Sequence, residues 1–272
     1  MSLTSANGLK RARALGIPFE GNPGKFNAIT DVPGLEVGMV TLKEGTDVRT
    51  GVTAICPRGK DKIGSACAAG FYSLNGNGEM TGTIWIEETG SLSMPVLITN
   101  THAVGTVHRG VIDWINQYKP ALAAQWLLPV VAETWDGYLN DINGPHVKTE
   151  HAIQAINNAT SGVIQEGSVG GGTGMNCYEF KGGCGSSSRI VKYANSEYVV
   201  AAFVQANFGS RSELRIAGVP MNDLDVPNPM NDISWFVQDK KDAKTPSGAG
   251  SVICIVATNA PLLPSQCKAL AR

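Results

Sequence analysis

The feature that most restricts the fold is a series of short apolar runs separated by glycine-rich segments. Glycine accounts for 32 of the 272 residues, well above average usage, and lies mainly between these runs. Because the runs are continuous rather than alternating apolar and polar, they predict β-strands that are covered on both faces. The predicted strands are residues 51–56, 83–86, 95–99, 127–132, 198–204 and 251–257.

Helical periodicity appears between the predicted strands. Apolar residues in the segment 104–115 recur at helical spacing, and Lys119 followed by Pro120 predicts where this helix stops. A second helix is predicted from Thr149, whose hydroxyl can cap it, to near Asn158. Since strands and helices are interspersed, the sequence predicts layered α/β packing, in a length that fits one large domain or two small ones.

Polar and flexible segments frame the last predicted strand. Residues 221–230 and 238–250 are rich in turn formers and predict loops, and the second runs directly into Ser251. Residues 261–272 resemble the start of a helix with proline in its first turn. That helix stops after about two turns, too few to be stable alone, so we expect a chain truncated at the C-terminus.

Several classes of function are disfavoured by charge and by missing motifs. The formal net charge is −1, which gives no long-range field for nucleic acid or anionic lipid. No stretch is long and apolar enough to span a bilayer, and residues 1–16 lack the apolar core of a secretory signal, so we predict a cytoplasmic protein.

The six cysteines and four histidines form neither a CxxC pair nor an HExxH motif, so we predict no metal site. A GxSxG elbow is also missing, which disfavours an α/β-hydrolase.

The junction between Gly250 and Ser251 is the first candidate for chemistry. A serine that follows a flexible glycine-bearing linker has a hydroxyl able to attack the preceding carbonyl. Cleavage there would give Ser251 a free α-amine with a pKa near 8, suited to act as base for its own hydroxyl. The alternative is a plain loop followed by a strand whose first residue is serine.

Three other segments contain residues with possible roles. Asn207, at the end of a predicted strand, is a possible oxyanion donor or merely a turn cap. Residues 133–144 contain three carboxylates and two aromatic residues, which predict either an ammonium-binding wall or a solvated loop. Residues 167–175 are glycine-rich but match no phosphate-binding motif, which leaves a tight turn or a set of amides lining a site.

Taken together, these segments resemble the self-processing β-aminopeptidases and the L-aminopeptidase/D-esterase family. The likeness extends over nearly the whole chain and is specific because many blocks occur in order. The blocks are NAITDVPGLEVG at 27–38, RTGVTA at 49–54, NGNGEMTG at 75–82, TNTH at 99–102, the loop from 133, the segments 167–175 and 204–209, GSVI at 250–253 and ATNAPLLP at 257–264.

The resemblance implies a four-layer αββα sandwich formed by residues 1–272 as a single domain, with 1–250 as an α chain and 251–272 as the start of a β chain. It implies a homo-oligomer of processed chains that removes N-terminal residues, including β- or D-amino acids, from short peptides, amides or esters. Carried over to this sequence, Ser251 is the nucleophile, the Gly250–Ser251 bond is cleaved, and Asn207 is the oxyanion donor. Glu133 binds the substrate amine, and the resemblance implies no metal or organic cofactor.

This sequence departs from the family pattern at two places. Trp135 stands where relatives often have tyrosine, so a hydroxyl is missing from the substrate-binding loop. The family also continues beyond the nucleophile strand and takes further site residues from that part. The alternatives are therefore an N-acyltransferase of similar fold, which typically has threonine at the junction, and a truncated non-catalytic paralogue.

Overall fold

The computed structural model describes residues 2–221, 224–233, 238 and 250–272. The helices are α1 Thr83–Thr89, α2 Val104–Tyr118, α3 Pro120–Ala123, α4 Thr149–Asn157 and α5 Pro264–Ala271. The strands are β1 Glu36–Glu44, β2 Val48–Cys56, β3 Cys67–Ala68, β4 Ser91–Leu92, β5 Val96–Asn100, β6 Val130–Thr134, β7 Asn176–Cys177, β8 Phe180–Lys181, β9 Gly183–Tyr193, β10 Ser196–Asn207, β11 Arg215–Ile216, β12 Val219–Pro220 and β13 Ser251–Thr258.

Strands β1, β2, β5 and β6 form the first sheet, in that order. The pairs β1–β2 and β2–β5 are antiparallel, whereas β5 and β6 are parallel and are connected through α2. Alternate residues of the central strands face opposite ways. Val52 and Leu97 pack with α2 and α4 on one side, and Ile55 and Ile98 belong to the core on the other side.

Strands β13, β10 and β9 form a second, antiparallel sheet that packs against the first. Phe203 of β10 is fully buried in the core shared with Ile55 and Ile98. The described residues thus stack as a helical layer, a first sheet and a second sheet, and the predicted α/β class is confirmed.

Five of the six predicted strands are confirmed. The segments 51–56, 95–99, 198–204 and 251–257 lie within or almost within β2, β5, β10 and β13, and the run 127–132 overlaps β6. The strand predicted at 83–86 is wrong, because these residues begin α1.

Gly82 and Gly90, both in the left-handed backbone conformation, lie at the two ends of α1. Residues 83–86 are not covered on both faces as a central strand would be, because Ile84 is 87% exposed while Ile86 is buried.

The helix predictions hold except for details of their starts. The periodic segment 104–115 lies in α2, which ends just before Lys119, and the second predicted helix is α4. Lys148 rather than Thr149 occupies the cap position of α4, and the predicted hydroxyl cap is not formed. The C-terminal helix begins at Pro264.

The predicted loop 238–250 lies almost wholly outside the described residues, as do two residues of the loop 221–230. Within the described part, no helix combines the length and the apolar character that crossing a membrane requires.

The packing between the sheets generates a first prediction. Phe203→Ala should lower the free energy of unfolding by about 3–5 kcal/mol, because it leaves a cavity at a fully buried position between two sheets. Urea denaturation in the Ser251→Ala background checks this on a chain that lacks the predicted nucleophile. Val191→Ala, at a position 41% exposed on β9, is the control and should change stability by less than about 0.5 kcal/mol. Equal effects of the two substitutions would contradict the assigned core.

Candidate active site

Ser251 is the first residue of β13 and lies directly opposite Asn207, the last residue of β10. The Asn207 side-chain Nδ2 donates a hydrogen bond to Ser251 Oγ at 3.1 Å. Its other terminal atom, Oδ1, accepts from the main-chain N of Asn176 at 3.0 Å, which fixes which way the amide points. The antiparallel register therefore brings a serine hydroxyl and an oriented amide donor together.

A second donor reaches the same hydroxyl from the first sheet. The main-chain N of Trp135, immediately after β6, donates to Ser251 Oγ at 3.0 Å. The Trp135 ring folds over Gly137, where an added Cβ would lie 2.4 Å from a ring carbon. Sequence reasoning missed this donor because a main-chain amide has no residue-type signature.

A buried polar link holds the two sheets together next to this contact. Gln205 of β10 is fully buried and donates to Thr134 Oγ1 at 2.7 Å and to the main-chain O of Thr99 at 3.3 Å. Thr134 directly precedes Trp135. The position of the Trp135 amide relative to Ser251 is thus set by hydrogen bonds between the sheets as well as by apolar packing.

Glu133 lies two residues before Trp135 on β6 and is buried. One carboxylate oxygen accepts from the main-chain N of Glu79 at 3.0 Å, and the other accepts from the hydroxyl of Thr101. Thr101 and the Glu79 amide were not singled out from the sequence, although both fall inside blocks quoted above. These two donors orient the carboxylate and leave each oxygen a further lone pair.

Glu133 and Ser251 line one cavity of about 980 Å³. Apolar side chains supply part of its wall, among them Phe71, Met80 and Ile86. An oriented carboxylate and a serine hydroxyl on the wall of one concave, partly apolar space form the arrangement expected of a site for a small cationic ligand.

Gly250 also lines this cavity and is packed tightly against β10. A Cβ at this position would lie 2.4 Å from the main-chain O of Asn207 and 2.5 Å from the Cα of Phe208. Only glycine fits so close to another backbone. Close packing, and not only the need for flexibility, therefore requires glycine at the position before Ser251.

The described residues of the glycine-rich segment 167–175 and of the loop 134–144 are not among those that line this cavity, whereas the blocks 27–38, 75–82 and 257–264 each contribute to its wall. Gly171 lies in a short 3₁₀ helix (Gly170–Gly172) wedged against β5 and Gln205, so the glycine-rich segment serves close packing. Asp141 is about half exposed and pairs with His146 at 3.1 Å. Of the three carboxylates in the loop from 133, Glu133 alone is among the cavity residues.

Asp136 follows Trp135 and is completely buried. Its Oδ1 accepts from Asn140 Nδ2 at 3.1 Å, whereas Oδ2 has no hydrogen-bond partner among the described residues. Burial raises the pKa of Asp136 from its ordinary value of 3.8 to about 6, and the polar side chains of Thr50, Asn140 and Asn100 offset part of that rise. Within the described residues, no group of three or more His, Cys, Asp or Glu side chains is placed to hold a metal ion.

Comparisons with known proteins agree on one family. The model of peptidase family S58 matches residues 27–272. A β-peptidyl aminopeptidase, BapA, from Sphingosinicella microcystinivorans is 47% identical over 278 residues, which cover 96% of this chain and 68% of that protein.

Among solved structures, the β-aminopeptidase of a Burkholderia species has a TM-score of 0.84 at 45% identity and is matched over 96% of this chain and 69% of its own. The L-aminopeptidase D-Ala-esterase/amidase of Ochrobactrum anthropi has a TM-score of 0.87 at 42% identity, over 96% and 71%. That structure is described as a prototype for the serine aminopeptidases and a variant of the Ntn hydrolase fold.

The buried carboxyl of Asp136 generates a prediction on stability. Since its pKa is higher in the folded chain than in the unfolded chain, the stabilisation linked to its proton is complete below about pH 4 and is lost as pH rises through about 6. Asp136→Asn should therefore be more stable than the parent at pH 7.5, by up to roughly 3 kcal/mol, and the difference should shrink towards pH 4.5.

Urea denaturation at several pH values, in the Ser251→Ala background, measures this difference. Asp61→Asn, which alters an exposed carboxyl elsewhere in the chain, is the matched control and should show no such trend. A stability difference for Asp136→Asn that is independent of pH would contradict the assigned environment.

Proposed function

This chain belongs to peptidase family S58, and from that premise we propose that it is a serine aminopeptidase with an N-terminal nucleophile that forms by cleavage of its own Gly250–Ser251 bond. The observation that supports this most strongly is the pair of donors on Ser251 Oγ, Asn207 Nδ2 at 3.1 Å and Trp135 N at 3.0 Å. Two directed donors lower the cost of negative charge on that oxygen.

The proposed self-cleavage is an N-to-O acyl shift followed by hydrolysis. Ser251 Oγ attacks the carbonyl carbon of Gly250 and forms a tetrahedral intermediate. The bond from that carbon to the Ser251 nitrogen then breaks, the hydroxyl proton ends on that nitrogen, and an ester remains. Water hydrolyses the ester, which gives a carboxylate at Gly250 and a free α-amine on Ser251.

The tight packing of Gly250 supports this sequence of steps because it fixes the carbonyl next to the hydroxyl.

In the proposed turnover, the α-amine of Ser251 accepts the proton of its own hydroxyl as Oγ attacks the substrate carbonyl. Asn207 Nδ2 shifts its hydrogen bond from Oγ to the oxyanion, which is the former carbonyl oxygen on the carbon that Oγ has attacked. The amine or alcohol product leaves, and water releases the acyl residue. The Glu133 carboxylate pairs with the ammonium of the substrate, so a free amino group selects the first residue of a short peptide, amide or ester.

The proposed substrate class is taken from the names of the relatives. We propose that β- and D-configured residues are accepted, as the names of the two kinds of relative suggest, and that the Trp135 ring forms part of the substrate-binding wall.

We also propose that processed chains form a homo-oligomer in the cytoplasm. An exposed aromatic pair, Trp85 and Trp126 with ring centroids 4.6 Å apart, supports association because such pairs are enriched at interfaces.

Intact-mass measurement tests the self-cleavage. The purified chain should separate into two fragments, the second beginning at Ser251, while Ser251→Ala should remain whole. Ser265→Ala, at the start of α5, is the control and should be cut like the parent. A parent chain that stays whole under native conditions would overturn the proposal.

Glu133→Gln tests the ammonium site. Replacing the carboxylate by a neutral amide should lower kcat/KM for an aminoacyl p-nitroanilide by about 10- to 100-fold, mainly through KM, because a charged hydrogen bond is lost. Glu44→Gln on the exposed end of β1 should leave both constants unchanged. An unaltered KM in processed Glu133→Gln would exclude this residue as the partner of the amine.

A further inference from the structure

Asp136 lies between the two chain segments that hold the Trp135 amide and the Glu133 carboxylate in place. Its main-chain O accepts from the main-chain N of Leu139 and of Asn140, both at 3.0 Å, and its Oδ1 accepts from Asn140 Nδ2. These bonds close the chain into a turn directly after the Trp135 amide. Asn140 Oδ1 in turn accepts from the main-chain N of Arg49 at 3.0 Å, which fastens the turn to β2.

The opposite side of the same carboxyl faces β2 and the end of β5. The Thr50 and Asn100 side chains lower the pKa of this carboxyl, and Asn100 Nδ2 donates to Thr50 Oγ1 at 2.8 Å. Asn100 directly precedes Thr101, whose hydroxyl holds Glu133. One buried carboxyl therefore lies between the segment that carries the Trp135 amide and the segment that orients Glu133.

On the basis of the proposed function, we propose that Asp136 is a positioning residue for that reaction: its buried side chain fixes the turn after β6 so that the Trp135 amide points at Ser251 Oγ. Asp136 does not touch Ser251 in any described contact, so its action passes through the main chain of its neighbour. The ionised carboxylate is the form that does this, because Asn140 Nδ2 donates to it and the Thr50 and Asn100 side chains favour the charged form.

Structural stability alone does not account for an aspartate here. The pKa of about 6 means that the folded chain loses stability when this group ionises near neutral pH. The charged side chains of two residues that fasten or flank the turn are directed elsewhere, since the Arg49 guanidinium bonds to the main-chain O of residues 44, 45 and 48, and Asp141 pairs with His146. Asparagine has nearly the same shape and carries no charge. A residue that costs stability is expected at a site where it serves the reaction.

The precursor gives a clean test because its Ser251 nitrogen is an amide and cannot titrate. Self-cleavage of the parent, Asp136→Asn and Asp141→Asn is followed by intact mass between pH 5 and 8, together with the thermal midpoint of each Ser251→Ala counterpart. Asp136→Asn should cleave on the order of ten- to a hundredfold more slowly at pH 7.5 while its thermal midpoint rises, and Asp141→Asn should match the parent in both.

The parent rate should also fall as pH drops through about 6, and this step should be missing in Asp136→Asn. Asn140→Ala, which removes the partner of Oδ1, should slow cleavage in the same direction. If Asp136→Asn is too unstable to purify, the pH step in the parent and the Asn140→Ala rate still decide the matter.

The role of Asp136 alone would be overturned if the parent and Asp136→Asn cleave equally fast, or if the cleavage rate of the parent is flat across pH 5–8. A parent that does not cleave at all would instead overturn the proposed function.

Discussion

The site depends on the meeting of two sheet edges at one hydroxyl. Ser251 Oγ takes a hydrogen bond from the side chain of Asn207 in its own sheet and another from the main chain of Trp135 in the facing sheet. The Trp135 donor would be displaced if the sheets slid relative to each other, because it belongs to the facing sheet. The apolar core around Phe203 and the hydrogen bonds of Gln205 are therefore part of the chemistry, because they fix the distance between the sheets.

Buried polar groups cluster at this end of the sandwich. Gln205, Thr134, Asp136 and Asn100 are all buried, although polar burial without complete pairing costs stability. The unpaired Oδ2 of Asp136 is the clearest case. Because the apolar core lies elsewhere, this concentration indicates that stability is given up locally to hold two donors and one carboxylate in fixed directions.

Much of the fold could be predicted from the sequence because several strands are continuous apolar runs, although burial on both faces holds for β2, β5 and β6 and not for β13, where Val252 and Cys254 are exposed. Continuous apolar runs gave β2, β5, β10 and β13 correctly, and helical spacing gave α2 and α4. The run at 83–86 was misassigned because its residues have the composition of a strand, while the glycines on either side and one exposed face make it a helix. Strand β9 was missed because residues 183–188 of it are small and polar rather than apolar.

The site was predictable only where a side chain has a role. Ser251, Asn207, Gly250 and Glu133 were named from type, position and family resemblance, and the structure places all of them around one cavity or its edge. The Trp135 amide and the turn at Asp136 could not be found that way. A main-chain donor is defined by where the strand ends, and the burial of Asp136 depends on β2 and β5, which are distant in sequence.

The most direct test of the central claim is the self-cleavage rate of Asn207→Asp. The aspartate keeps an oxygen to accept from the main-chain N of Asn176 but has no Nδ2 to donate to Ser251 Oγ. Measured by intact mass at pH 7.5, the folded variant should cleave on the order of a hundred- to a thousandfold more slowly than the parent. A folded Asn207→Asp chain that cleaves at the parent rate would show that the serine hydroxyl does not depend on the donors that surround it.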